Sequence, residues 1–196
     1  MKIENVKKYD TAPVPSFSLE VLRRVAANAS LIGSDDVADI TRQLDRYPRG
    51  LVGIGARCAC GQPAVTITYP RLGDGSPFPT LFYLSLPWLV REISRIESSG
   101  GMEPFNERLR EGSEAYSPEL AENHRAAHRS YVERRALLAQ VPEIAQRSAG
   151  GMPDRVKCLH ALAGYALAVG PGACRVGDEA LALAHWDQDV CRCGSA

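Results

Sequence analysis

The chain has 196 residues and no net charge, with 23 Lys plus Arg against 23 Asp plus Glu, so nucleic-acid binding through a bulk basic field is disfavoured. Apolar residues at 45% and charged residues at 23% are ordinary globular values and exclude a disordered or fibrous chain. No apolar run reaches the ~20 residues of a membrane-spanning helix, because Arg91, His160 and Gly170 interrupt the longest ones.

The opening stretch "MKIENVKKYDTAPVPSF" is charged, holds prolines and has no hydrophobic segment behind it, unlike a secretory signal. The expected location is the cytoplasm. In that reducing compartment the six cysteines are expected as thiols or metal ligands rather than disulfides. Residues 1–33 read as an N-terminal extension, partly helical; residues 34–188 read as a single α+β domain, and 189–196 as a C-terminal tail.

Two helical pieces separated by Gly33 come first. The second is expected to open with Ser34 as N-cap, followed by Asp35 and Asp36 in the first turn and by Val37, Ile40 and Leu44 at helical spacing. Next come "LVGIGARC", "PAVTITYP" and "TLFYLSLP", three β-prone runs divided by Gly, Pro and Asp-Gly turn signals. Their connections are too short for helical crossovers, which predicts a small three-stranded antiparallel sheet. Helices follow in "PWLVREISRIESSGG", in "EPFNERLREG" and in "SPELAENHRAAHRSYVERRALLAQ", where Ser117 caps and Pro118 takes the first helical position. A further helix is expected to start at Pro153 and end at Gly170, and the last in "DEALALAHWDQD". Strands early and helices late give an α+β fold, with the sheet packed against several helices.

The cysteines are the main chemical clue. Cys58 and Cys60, in "ARCACGQP", sit at the hinge between two predicted strands, where packing does not explain an exposed sulfur. Cys191 and Cys193 repeat the Cys-x-Cys pattern near the end of the sequence, so that two pairs and two single cysteines are available for a four-thiolate site. Because chain ends are the least ordered, the expected zinc ligands are Cys58, Cys60 and Cys158, sharing one tetrahedral site.

The segment "GGMPDRVKCLHAL" puts Asp154, Arg155, Lys157, Cys158 and His160 together. Placed on a helix at about 100° per residue, Asp154, Arg155 and Cys158 share one face, while Lys157 and His160 point the other way. Unpaired N–H groups at that helix start would suit an anion held by Arg155, Lys157 and His160. On the long helix, His124 and His128 lie one turn apart among arginines, which reads as a solvated face. His128, Tyr131 and Arg135 fall on one stripe that could line a polar cleft.

Taken together, "QLDRYPRG", "RCACGQPAV", "PRLGDGSPFPTLFYL", "AHRSY", "GGMPDRVKCLHAL" and "GPGACRVGDEAL" resemble an uncharacterised bacterial family catalogued as domain of unknown function 501, over about Gln43 to Leu181. The resemblance carries no established activity. It singles out Cys58, His128, Asp154, Arg155, Lys157, Cys158 and His160. The chain departs from it at Leu86, where a Cys or His is expected, and at Cys174, where an Asn is expected.

Two functions are therefore expected. One is a cytosolic zinc-binding protein in which the metal ties Cys58 and Cys60 to Cys158. The alternative is an enzyme acting on a phosphorylated small molecule, with Cys158, His128 and Asp154 as its catalytic groups and the anion site at Pro153 to His160. The expected partner is a metal ion or small molecule. An interaction module built on the Arg-rich helix comes third.

Overall fold

A computed structural model describes residues 14–193. Residues 1–13 of the expected extension and 194–196 of the expected tail lie outside the described residues. The first helix, α1 (Leu19–Val25), is capped by the Ser18 side chain and buries Leu22 and Val25 in the same core as the sheet. Helix α2 (Asp36–Leu44) starts one residue later than expected. Its N-cap is Asp35, and the residue that closes the turn is Asp36, whose carboxylate accepts the Gly33 N–H at 2.6 Å.

Strands β1 (Leu51–Arg57), β2 (Pro63–Thr68) and β3 (Phe82–Leu84) form the antiparallel sheet in that order. All residues of β2 are buried, as befits a central strand against which other elements pack. Helix α3 (Pro87–Ser98) follows β3 directly, then α4 (Glu103–Leu109) and the long α5 (Pro118–Ala136), where Ser117 accepts the Leu120 N–H and Pro118 takes the first turn as predicted.

Helix α6 (Leu159–Val169) packs on all three strands and on α7 (Arg175–Leu183). The core centres on three rings: Phe82 stacks on Tyr165 at 5.6 Å, and Tyr131 meets both edge-on. Such ring pairs add to the burial of their area. The expected stripe does not form one polar cleft: Arg135 borders a mostly apolar hollow with Val132, Ala136 and Val141, and neither Tyr131 nor His128 lines it. Tyr131 and Arg135 are buried, with the Tyr131 hydroxyl accepting the Leu81 N–H at 2.6 Å and Arg135 donating to the carbonyls of Pro79 and Ile144. They are struts that brace the approach to β3, and burial pushes the Tyr131 phenol up to about 12.

The expected helix start at Pro153 is corrected by the structure. Gly150 and Gly151 take left-handed backbone angles, φ 69° and 97°, which side chains other than glycine's rarely adopt. The N–H groups of Lys157 and Cys158 then turn back to the Gly150 carbonyl. The chain is spent on this loop and becomes helical only at Leu159.

Candidate metal centre

Between β1 and β2 the chain makes a tight turn. The Cys58 N–H donates to Gln62 O at 2.9 Å and the Gly61 N–H to Cys58 O at 2.8 Å, with Gly61 at φ 89°. The turn is braced from outside. Arg57 forms a two-pronged ion pair with Asp36 at 2.7 and 2.8 Å and donates to Gly61 O at 2.9 Å. That pairing holds the Asp36 carboxyl below its ordinary value.

The end of the described chain returns to this turn. After α7, Trp186 packs beside Trp88 of α3 at 6.5 Å, and the Arg192 guanidinium lies over the Trp88 ring at 5.0 Å. This stacking places the two cysteines that flank Arg192. Cys193 Sγ lies 3.4 Å from Cys60 Sγ and 3.6 Å from Cys58 Sγ. All four sulfurs of Cys58, Cys60, Cys191 and Cys193 lie within 4.8 Å of one another. Burial pushes the Cys193 thiol above its ordinary value, and the N–H of Cys193 lowers that of Cys191 by donating to its sulfur.

The structure groups the expected ligands differently. Cys58 and Cys60 are joined by the second Cys-x-Cys pair, while Cys158 belongs to another group with Glu97 and His160. The repeated Cys-x-Cys spacing was the signal for this grouping. Proximity to the chain end argued against it, and the Arg192–Trp88 stack overrides that argument.

Cys158 and His160 do not point apart. Cys158 is the extended N-cap of α6, so its sulfur stands 4.0 Å from His160 Nδ1. Glu97, from the last turn of α3, places Oε1 3.2 Å from the same nitrogen and accepts the Leu159 N–H at 2.5 Å. The hydrogen bond with Cys158, then the Glu97 charge, push the His160 imidazole up to about 9 against the effect of burial. An acidic residue in a last helical turn opposes the helix dipole; that misfit was the only local hint of Glu97 in the sequence.

The expected anion site loses its helix-start geometry. The amides of Met152, Arg155, Val156, Lys157, Cys158 and Leu159 already donate within the protein. Asp154, Arg155 and Lys157 are exposed on the loop rather than set along a helix. His128 Nδ1 meets Ser148 Oγ at 2.8 Å, and His124 is buried with Nε2 on the Arg155 carbonyl, not on a solvated face. Both rings fasten the loop to α5, and burial lowers both below the ordinary histidine value. Leu86 is fully buried in the core, and Cys174 is a buried side chain whose thiol burial pushes up to about 12.

The fold and this cluster define an α+β protein with four cysteines gathered where its C-terminal segment meets its sheet. The chain belongs to the family described as Protein of unknown function (DUF501), whose model matches residues 54–182. No curated protein and no solved structure matches the chain. Cys58, Cys60, Glu97, Cys158 and His160 fall within the matched stretch, and Cys191 and Cys193 lie beyond it. No helix among the described residues is long and apolar enough to cross a membrane.

Proposed function

We propose that the protein is a zinc-binding protein, with one ion held by Cys58, Cys60, Cys191 and Cys193. The observation that carries this reading is the sulfur geometry. A tetrahedral site with ~2.3 Å Zn–S bonds has sulfur–sulfur edges of ~3.8 Å, and Cys193 lies 3.4 and 3.6 Å from Cys60 and Cys58. Four thiolates select a soft or borderline metal over magnesium or calcium.

Four protein ligands fill the coordination shell, which makes the role structural rather than catalytic. The ion would join the hairpin turn to the segment after α7. The backbone N–H of Cys193, donating to the Cys191 sulfur, favours the thiolate that the metal needs at that ligand. A cytoplasmic, reducing location suits this reading, since the thiols stay available there.

The test is elemental analysis of reduced, tag-free protein and of a Cys191→Ser/Cys193→Ser variant. Stoichiometric zinc in the wild type that falls by one equivalent in the variant supports the reading. No metal in the wild type, or full retention in the variant, overturns it.

A further inference from the structure

A second group of donors lies apart from the four cysteines. Glu97, Cys158 and His160 offer oxygen, sulfur and nitrogen atoms that all lie within 4.8 Å of one another. We infer that these three residues form a second metal site, taking a zinc-class divalent cation and leaving one coordination position to solvent.

The histidine supplies the first line of support. Its Nε2 lies 3.1 Å from the Val90 carbonyl and 3.1 Å from Ser94 Oγ. The Ser94 hydroxyl spends its own hydrogen on the same carbonyl at 2.8 Å, so it meets the ring as an acceptor. Two acceptors fix a proton on Nε2 and turn Nδ1 toward the sulfur and the carboxylate. A ring N–H anchored on a backbone carbonyl, with the other nitrogen aimed at anionic donors, is the arrangement of metal-ligating histidines.

Spacing supplies the second. Zinc bonds of ~2.0–2.3 Å at tetrahedral angles separate nitrogen from oxygen by ~3.4 Å and nitrogen from sulfur by ~3.6 Å. The corresponding distances are 3.2 Å and 4.0 Å, so the donors need only small rotations to close on an ion. Binding displaces the protons on His160 Nδ1 and the Cys158 thiol, and the neutral imidazole, carboxylate and thiolate left then carry two negative charges, which a divalent cation neutralises.

The third concerns the sulfur. A purely structural Glu97–His160 ion pair, closing α3 on α6, accounts for the carboxylate and the ring. It leaves the Cys158 thiol, which makes no side-chain cap bond at its N-cap position, with only its 4.0 Å contact to His160 Nδ1. The site is also reachable, with the side chains of His160 and Glu97 24% and 23% exposed. Three protein ligands and one open position is the ligand count of zinc sites that act on a bound water or substrate, whereas closed four-ligand sites only hold a fold.

The experiment titrates zinc into the full-length, reduced, metal-free chain and counts equivalents by equilibrium dialysis, with cobalt(II) absorption as a second readout. Wild type, Cys158→Ser, His160→Gln and Cys191→Ser/Cys193→Ser are compared, each checked for folding by circular dichroism. The expected result is two equivalents in the wild type and one in each variant. Cobalt spectra of the Cys158→Ser and double-cysteine variants should differ, since one reports four sulfurs and the other a mixed set. If the wild type and Cys158→Ser both bind one equivalent, the second site does not exist and only the ion pair remains, while the four-cysteine reading stands. If the wild type binds one equivalent that Cys158→Ser loses and the double variant keeps, the four-cysteine reading fails and the second site stands. No binding by the wild type removes both.

Discussion

Cys60 and Cys193 place their sulfurs 3.4 Å apart although 133 positions separate them in the chain. A bond through a metal at that point closes a loop of most of the protein, and cross-links of that span restrict the unfolded chain strongly. By analogy with disulfides, the tie contributes about 2–4 kcal/mol. Zinc removal by a chelator is therefore expected to lower the unfolding midpoint. Identical unfolding curves with and without chelator would show that the metal adds nothing to the fold.

Acid is expected to weaken the turn that holds Cys58 and Cys60. Asp36 has an ordinary value near 3.8 and is held below it, chiefly by its hydrogen bonds to Arg57. A carboxyl depressed in the folded state stabilises above its unfolded value, and that contribution disappears as pH falls through the folded value. Asp36→Asn should cost about 1.5–3 kcal/mol at pH 7, the range for hydrogen bonds to charged groups, and much less near pH 3. Urea unfolding of both proteins at the two pH values gives the comparison. An equal deficit at both would place the effect elsewhere than in the ionised pair.

Much of the architecture was legible because short-range chemistry decided it. Ser117 and Pro118 begin α5 where capping rules place them, and turn residues divide the three strands as their spacing implies. The start of α6 was not legible, since paired left-handed glycines and a loop closing on the Gly150 carbonyl outweigh an apolar helical pattern. Half of the cysteine cluster could be read from the hinge at Cys58 and Cys60. The other half was hinted at by the repeated Cys-x-Cys spacing, but its place beside the turn depends on a tertiary contact, Arg192 on Trp88. Glu97 stands 62 positions before the Leu159 amide that it caps, and only folding brings it to Cys158.

Thiol labelling should rank the cysteines by environment. Cys174 is fully buried and burial pushes its thiol up to about 12, so neither access nor ionisation favours attack. It should stay unlabelled by iodoacetamide at pH 7.5 until the protein unfolds. Exposed Cys60 and Cys191 should label readily in metal-free protein and become protected when zinc is added. Mass-spectrometric mapping decides, and labelling of Cys174 in the native state would contradict its place in the core.

Tyr131→Phe tests the polar strut inside the core. The ring packing survives the change, but the Leu81 N–H loses the acceptor it meets at 2.6 Å. A buried donor left without a partner costs about 1–3 kcal/mol. Chemical denaturation should show a loss in that range with an unchanged slope. A neutral substitution would mean that another acceptor takes over the Leu81 amide.

Loss of Arg192 separates what the arginine contributes from what the metal contributes at the C-terminal segment. Arg192 lies between the two distal cysteines and over Trp88 at 5.0 Å from the ring centre, inside the range of a cation–π contact, which stabilises by about 0.5–1 kcal/mol at a partly exposed site. If the stack pre-positions Cys191 and Cys193, its loss must be made up when the ion binds. Arg192→Ala should then weaken zinc binding by about two- to five-fold, the same energy expressed as affinity. Arg192→Lys should recover only part of it, because an ammonium group cannot lie flat on the indole as a guanidinium does. Competition titration with a colorimetric chelator measures both variants against the wild type, with stoichiometry unchanged throughout. Equal affinities would show that the metal alone brings the segment to the sheet and that the stack follows from its binding.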